Sequence, residues 1–182
     1  MQKEPTALDV LEFWWEAGPA KWFSRSDEFD ATCRDRFGAL HARAADGQLA
    51  DWADVPHGML ALIIVLDQFS RNIHRDSPKA YAQDGAALAL AEEAVDRGFD
   101  RAYPMPAKSF FYLPLMHAED IAAQERCVDL YRATGDRETE YYALLHLDVI
   151  RRFGRFPHRN PVLGRETTEG EKRYLESGGF SA

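Results

Sequence analysis

Long apolar runs, basic charge and β-branched residues are all scarce in this chain of 182 residues. The longest uninterrupted apolar stretch covers residues 59–66, whereas a membrane-spanning helix needs about 20 apolar residues. Asp and Glu total 30 against 22 Lys and Arg, a formal net charge of −8. This balance argues against broad binding to nucleic acid or to anionic membranes. We therefore expect neither a nucleic acid nor a membrane as partner.

Cysteine is rare as well, and the common catalytic motifs are missing. Cys33 and Cys127 are the two cysteines, and both lie in apolar helical rows without CxxC spacing. They indicate two reduced, buried thiols in a cytoplasmic protein, a disulfide between them being the less favoured alternative. The first residues have no apolar run behind a basic start, which predicts no signal peptide. GxSxG, GxxxxGK[ST] and GxGxxG are absent, which disfavours hydrolase, P-loop and dinucleotide folds.

What the chain does contain favours helix. Ala and Leu number 43, whereas Val and Ile number 12, and β-branched residues are the ones that sheets prefer. Apolar residues recur at spacings of three and four, which predicts seven or eight helices joined by short turns. The predicted helices begin near Thr6, Ser26, Pro56, Ser77, Phe110, Glu119, Thr139 and Thr168. Short connections favour antiparallel pairs, so we expect one all-α domain over residues 1–182.

Two details of this prediction concern single helices. The segment from Met59 to Phe69 is apolar almost all round, which is typical of a helix buried on several sides. We expect it to be the central helix. Pro114 lies in the apolar segment that begins at Phe110 and is expected to break or kink it, because proline removes a helical hydrogen bond.

The first polar segment of interest, residues 66–75, lies at the end of the central helix. Asp67 and Arg71 are four residues apart, so they share a helical face with the acid in the favourable first position. Two interpretations are open: a structural ion pair that closes a buried helix end, which is favoured, or the polar floor of a pocket that also includes Asn72.

The second segment, residues 112–120, contains His117 and Asp120, with Gln124 close behind. These three share a helical face if the turn is continuous, and such groups bind metals or move protons. The favoured alternative is helix capping, since acidic residues in a first turn interact well with the helix dipole. No residue is therefore assigned as a metal ligand, and the cofactor is left open.

The third segment, residues 149–165, contains five arginines and no acidic residue. Its centre holds Arg155, His158, Arg159 and Asn160, and His146 lies on the preceding helix. The arginine fork matches carboxylate or phosphate in a bidentate way, which favours an anion site. The alternative is that these arginines neutralise the end of a helix dipole and form salt bridges.

These segments resemble the bacterial family of uncharacterised proteins known as domain of unknown function 924. The resemblance is carried by LDQFSRNI at residues 66–73, YLPLMHAED at 112–120 and FGRFPHRN at 153–160, with support from LEFW at 11–14 and KWF at 21–23. It implies a tetratricopeptide-like superhelical array of helix pairs and no known activity. Ser70 stands where the resemblance leads us to expect proline, and Ala118 where we expect serine.

The leading hypothesis is a binding protein with one polar pocket for a small anion, a carboxylate or phosphate, gripped by Arg71 and Arg155. The candidate residues are Asp67, Arg71, Asn72, His117, Asp120, His146, Arg155, His158, Arg159 and Asn160. One alternative is a metal- or histidine-dependent enzyme in which His117 or His158 acts as general base beside Asp120. Another is an interaction scaffold for a protein or peptide. The oligomeric state is not predicted.

Overall fold

The computed structural model describes residues 4–180, and every regular element within that range is helical. This confirms the all-α class. The chain divides into two compact units, Met1–Phe111 and Tyr112–Ala182, which are called the N-terminal and C-terminal units below. The expectation of a single domain and the superhelical arrangement both stay predictions.

Most helices of the N-terminal unit lie where the apolar spacing places them. The helix expected from Ser77 is instead a 3₁₀ turn followed by a helix that begins at Asp84, and the short helix Pro19–Trp22 was not expected. The helices are α1 (Ala7–Ala17), α2 (Pro19–Trp22), α3 (Asp27–Ala45), α4 (Pro56–Ile64), α5 (Ser70–Ile73) and α6 (Asp84–Asp96). Short 3₁₀ turns cover Ala50–Asp54, Pro78–Tyr81 and Phe99–Ala102. Thr6 and Asp9 form a capping box that starts α1, and this satisfies two amide groups that the first helical turn leaves free.

The core of the N-terminal unit forms around α4, whose residues 58–64 are all buried. Aromatic rings pack beside it: the Phe37 ring lies 4.9 Å from the rings of both Phe13 and Phe69, measured between centroids. Trp14 is fully buried in the same core. These positions confirm the predicted buried central helix, since a helix that is apolar on all sides needs neighbours on all sides.

The central helix differs from the prediction in one respect: Val65–Phe69 between α4 and α5 is π-helical. The Ser70 hydroxyl donates a hydrogen bond of 2.5 Å to the Leu66 carbonyl, at the position where the resemblance leads us to expect proline. A π segment carries an extra residue in the helical ladder and is often found at functional sites. Here it places Asp67 and Gln68 in the interior.

The helix α7 (Ser109–His117) continues through Pro114. Of the two expected effects of this proline, the break is therefore wrong, and the kink stays a prediction. The division between the two units falls inside α7. The next helix, α8 (Ile121–Thr134), begins after its own N-cap residue, Asp120. Because the chain leaves the helix between His117 and Ile121, His117, Asp120 and Gln124 do not share a continuous helical face.

The C-terminal unit contains α8, α9 (Arg137–Phe153), a 3₁₀ turn at Pro157–Arg159 and α10 (Glu169–Glu176). The helices α8 and α9 pack together, joined by the short turn that Gly135 and Asp136 predict. Gly154 ends α9 with φ of 68°, a left-handed conformation that glycine adopts without steric cost. The chain then turns so that Phe156 packs on Val149 and Ile150.

Two further expectations concern membrane-spanning helices and the cysteine thiols. Within residues 4–180, no helix combines the length and apolar character that spanning a membrane requires. Cys33 and Cys127 are free and buried, as predicted. Burial raises the pKa of the Cys33 thiol to about 12 and that of Cys127 well above its usual range.

Candidate functional site

The ten candidate residues are distributed over both units. The N-terminal unit contains Asp67, Arg71 and Asn72, and the C-terminal unit contains His117, Asp120, His146, Arg155, His158, Arg159 and Asn160. Their convergence in a single pocket stays a prediction.

In the N-terminal unit, Arg71 lies between two carboxylates. Its Nη1 is 3.0 Å from Asp67 Oδ1 and 3.0 Å from Asp84 Oδ1, which confirms the predicted Asp67–Arg71 ion pair. The Arg71 guanidinium also lies 5.7 Å from the Tyr81 ring centroid. Burial alone lowers the pKa of an arginine, but the two carboxylates outweigh burial and raise the pKa of Arg71. This arrangement supports the structural interpretation of the pair, because the paired charges compensate one another's desolvation.

Asn72 belongs to a neighbouring polar network on the same unit. Its Nδ2 donates a hydrogen bond of 2.8 Å to Asp30 Oδ1, and Arg75 forms a salt bridge with the same carboxylate. Burial raises the pKa of Asp30, but hydrogen bonds from Arg75 and Asn72 outweigh burial, so the net shift is downward. Asn72 therefore ties α5 to α3.

In the C-terminal unit, Arg155 is held by an acid of α10. Its Nε and Nη2 donate to the Glu171 carboxylate at 2.6 and 2.9 Å, and Nη2 also donates to the Glu166 carbonyl at 2.7 Å. Glu171 is 2% exposed, and the hydrogen bond from Arg155 is the main reason that its pKa is lowered to about 2. This bidentate pair matches the salt-bridge alternative for the arginine-rich segment.

Asn160 is fully buried and connects the Arg155–Glu171 pair to a second pair, Arg165–Glu119. Its Nδ2 lies 3.3 Å from Glu171 Oε2, and its Oδ1 accepts a hydrogen bond of 2.9 Å from Arg165 Nε. Arg165 in turn donates to Glu119 at 2.6 and 2.9 Å. Glu119 also accepts the Phe156 amide at 2.7 Å. The network fixes the loop after α9 by connecting it to α10 and to the segment before α8.

Three histidines lie close together beside this network, around Phe156. The centroids of the His117 and His146 rings are 6.4 Å apart. The Phe156 ring lies 5.6 Å from His146 and 5.7 Å from His158. We call His117, His146 and His158 the histidine cluster. Sequence spacing alone could not place these three residues together; the turn at Gly154 brings His158 back toward α9.

His146 is held in one tautomer by its backbone. Its Nδ1 contacts the Tyr142 carbonyl oxygen at 2.8 Å, and because a carbonyl only accepts, Nδ1 must carry the proton. The Nε2 lone pair is then available for another group. Burial lowers the pKa of His146 to about 3, opposed by the Tyr142 hydrogen bond and reinforced by the nearby His117. The imidazole is therefore neutral at pH 7.

His158 has an unmade hydrogen bond. Its Nδ1 is buried and has no hydrogen-bond partner among residues 4–180. Burial lowers the pKa of His158 to about 4, helped by the charge of Arg159 and opposed by Glu119. Arg159 lies over the Phe156 ring, 4.4 Å from its centroid, so cationic and aromatic groups surround a neutral imidazole.

Phe180 covers one face of His146, with the ring centroids 4.4 Å apart. Its amide donates to the Tyr174 hydroxyl at 2.8 Å. At Gly179 a Cβ atom would meet the Tyr174 ring and carbonyl at 2.5 Å, so the close turn after α10 requires glycine. The local sequence thus directs Phe180 back onto the cluster.

The chain is similar to other bacterial proteins over most of its length. Residues 10–179 match the family described as bacterial protein of unknown function, DUF924. The chain belongs to this family. It is similar to a solved structure described as a protein of unknown function, ATU0120, from Agrobacterium tumefaciens, with 46% identity, a TM-score of 0.91, and coverage of 94% of this chain and 97% of that one. No curated protein matches the sequence.

The metal interpretation of this DUF924 protein receives no geometric support. Across the described range 4–180, no group of three or more His, Cys, Asp or Glu side chains is placed to hold a metal ion. Asp120 instead accepts the Ala123 amide at 2.8 Å as a helix cap, in agreement with the favoured alternative. Gln124 donates to the carbonyls of Met116 and Ala118 at 2.6 and 2.9 Å, and so closes the end of α7.

Sequence reasoning missed several residues that shape this region of the DUF924 chain. Glu119, Arg165 and Glu171 hold the loop, and Phe156 and Phe180 pack against the histidines. One signal was present: Thr168 and Glu171 have capping-box spacing, and the box is formed. That spacing predicts a helix start but not that the same carboxylate binds Arg155.

Proposed function

We propose that this DUF924 protein binds a small anionic molecule, a carboxylate or a phosphate ester, at the histidine cluster of its C-terminal unit. The observation that carries the proposal is the buried Nδ1 of His158, which has no partner among the described residues. A buried polar atom without a hydrogen bond costs about 1–3 kcal/mol. Such atoms in native proteins are usually explained by a water molecule or a ligand.

The charge state of the cluster favours an anion. With a pKa of about 4, His158 is neutral at pH 7 and can carry its single proton on Nδ1, where it donates to a ligand oxygen. Burial is the main cause of this low pKa; the positive charges of Arg159 and Arg165 lower it further, and Glu119 opposes them. Because this local potential opposes an added proton, it attracts a negatively charged oxygen.

The shape of the surroundings supports a ligand with an apolar part. Phe156 is fully buried and contacts both His146 and His158, and Phe180 also packs against His146. Sites of this kind combine apolar walls with few polar groups, and the polar groups fix the orientation of the ligand.

This proposal changes the roles expected for the arginines. Arg71 and Arg155 were expected to grip the anion, but both already form bidentate or double ion pairs within their own units. Those pairs support structural roles for both residues. The ligand contacts are therefore assigned to His158 and His146, with Arg159 supplying charge.

The test is calorimetric titration of the full chain with inorganic phosphate and with succinate. We expect His158→Leu to weaken binding about tenfold, the loss of one hydrogen bond to a charged group. His57→Asn is the matched control, because His57 is an exposed histidine of the N-terminal unit. Equal affinities for wild type and His158→Leu, or no binding of either probe, would reject the proposal.

A second candidate function is metal-free acid–base catalysis by His146. It is favoured by the Tyr142 contact, which holds the proton on Nδ1 and leaves the Nε2 lone pair as a base. The test is hydrolysis of aryl phosphate and aryl ester substrates by wild type and His146→Gln. Activity that is lost in this variant while phosphate still binds would favour the enzyme over the binding protein.

The scaffold alternative and the cytoplasmic location also stay predictions. The scaffold hypothesis expects exposed aromatic residues along a groove, with Trp14, Trp15, Trp22 and Trp52 as candidates. Trp14 and Trp22 are buried, and Trp15 and Trp52 are half-buried, so the tryptophans provide little support for such a groove. The two free, buried thiols are in keeping with a reducing compartment. Cell fractionation with a thiol-trapping reagent tests the location.

A further inference from the structure

We propose that the N-terminal unit carries a separate binding site for a small aromatic monocarboxylate, in a depression formed by α1, α2 and α3. The depression has a volume of about 250 Å³ and is lined by Phe13, Glu16, Ala17, Lys21, Phe29 and Arg36. None of these residues belongs to the candidates discussed above.

The floor of the depression is a pair of stacked aromatic rings. Phe13 and Phe29 have centroids 5.4 Å apart and planes inclined by 7°. Both side chains are mostly buried, at 8% and 5% exposure, so the rings are held rigidly by the core behind them. The small exposed part of these two residues gives a ligand ring an apolar contact, because edge-to-face aromatic contacts are favourable.

Two cations lie at the floor and have no acidic partner among residues 4–180. Lys21 Nζ is 5.8 Å from the Phe29 centroid, and the Arg36 guanidinium is 4.8 Å from that of Phe13. Within residues 4–180, neither cation has a carboxylate oxygen within 4.0 Å. Other arginines of this unit do, including Arg25, Arg43, Arg71 and Arg75.

The charges of the lining select the class of ligand. Lys21 and Arg36 contribute two positive charges and Glu16 one negative charge, so the net local charge is +1. This balance suits a monoanion better than a phosphate dianion. The volume lies below the range of about 300–1,000 Å³ that is usual for drug-sized ligands. A single ring with one carboxylate is the matching size, and both cations then donate to the carboxylate.

The experiment is an NMR titration of the full chain with benzoate, alongside benzamide as the uncharged analogue and acetate as the analogue without a ring. We expect benzoate to shift the ring signals of Phe13 and Phe29 and to bind about tenfold more tightly than either analogue. Lys21→Ala and Arg36→Gln should each weaken benzoate binding by a similar factor, whereas Glu16→Gln should strengthen it.

Lys79→Ala is the matched control, since Lys79 is an exposed cation of the same unit outside the depression. Because the histidine cluster is also proposed to bind carboxylates, binding here is read from the Phe13 and Phe29 signals alone, which separates the two sites. Thermal unfolding of each variant checks that it is folded. The proposal is overturned if benzoate binds no better than benzamide, or if the Lys21 and Arg36 variants bind it as well as Lys79→Ala does.

Discussion

His41 of the N-terminal unit and His158 of the C-terminal unit are in similar electrostatic situations but have different hydrogen bonding. Burial lowers the pKa of each to about 4, and other nearby groups lower it further: His74 for His41 and Arg159 for His158. The His41 Nε2 lies 2.7 Å from the Ser70 hydroxyl. Ser70 itself donates to the Leu66 carbonyl, so it accepts the proton of His41. The Nδ1 of His158 has no such partner within residues 4–180.

Hydrogen bonding distinguishes these two histidines, whereas residue type and pKa do not. Both imidazoles are neutral and desolvated, so a lowered pKa does not by itself mark a site. His41 satisfies its Nε2 inside the fold and holds α3 against the start of α5. His158 makes no hydrogen bond through Nδ1 to residues 4–180, and we propose that a ligand makes it.

The largest expected effect is a loss of stability in acid. It tests what His41 and His158 share, which is an imidazole that burial keeps neutral. His41, His146 and His158 have pKa values of about 4, about 3 and about 4 in the folded chain, below the ordinary 6.5. The stability that depends on neutral histidine is therefore complete above pH 6.5 and is lost as the pH falls toward those values. Each histidine contributes up to about 1.4 kcal/mol per pH unit once its unfolded form is protonated, so the three together lose about 4 kcal/mol from pH 7.5 to 5.5.

Urea unfolding between pH 7.5 and 5.5 measures this slope. His41→Leu and His158→Leu should each reduce by about one the number of protons that the chain takes up on unfolding. The free energy of unfolding then depends less steeply on pH. A stability that is constant over this range would show that the histidines are not held neutral.

The next effect tests whether Arg155, like His41, has its hydrogen bonds made within the fold and stabilises it. Glu171→Ala removes the carboxylate that accepts from Arg155, from Asn160 and from the Thr168 amide. We expect the free energy of unfolding to fall by about 3 kcal/mol, as for other broken buried pairs. Glu169→Ala, an exposed acid on the same helix, is the control. If both variants are equally stable, the salt bridge is not structural.

A smaller effect separates the two histidines at neutral pH. His41→Leu leaves the buried Ser70 hydroxyl without its donor, and we expect a loss of about 2 kcal/mol in the free energy of unfolding. His158→Leu removes a nitrogen that is already unsatisfied, so we expect no loss of stability and a gain of about 1 kcal/mol. Urea unfolding at pH 7.5 compares them. Equal losses would remove the distinction between the two residues.

The smallest expected effect concerns the cover over His146. Phe180→Ala removes the ring 4.4 Å from the imidazole centroid and admits water. Because burial is the main cause of the lowered pKa of His146, we expect its pKa to rise by about one unit. An NMR titration measures it, with Phe23→Ala as control, since Phe23 is 68% exposed. An unchanged pKa would mean that Phe180 does not desolvate the ring.

Much of the fold could be predicted because helices depend on local spacing and capping. The capping boxes at Thr6 and Thr168 and the buried central helix follow from neighbouring residues alone. The π-helical Val65–Phe69 was missed, since its apolar pattern is that of an ordinary helix. Pro114 was expected to break or kink α7. It does not break the helix, because proline inside a helix removes only one hydrogen bond and the buried neighbours retain the helical path.

The candidate site was less predictable because its contacts join distant residues. Glu119 pairs with Arg165 across 46 positions and accepts the Phe156 amide across 37. No local pattern shows which acid neutralises which arginine, so Arg155 looked available from sequence. The unmade hydrogen bond of His158 depends on the whole arrangement of the loop after Gly154.

The most direct test of the account is the ¹⁵N NMR signal of His158 Nδ1 during addition of inorganic phosphate or succinate at pH 7. Anion binding at this nitrogen should shift its resonance and raise the pKa of His158, while the signals of His41 stay unchanged. If saturating phosphate and succinate move neither histidine, or move both alike, His158 is not the contact and the proposed anion site is wrong.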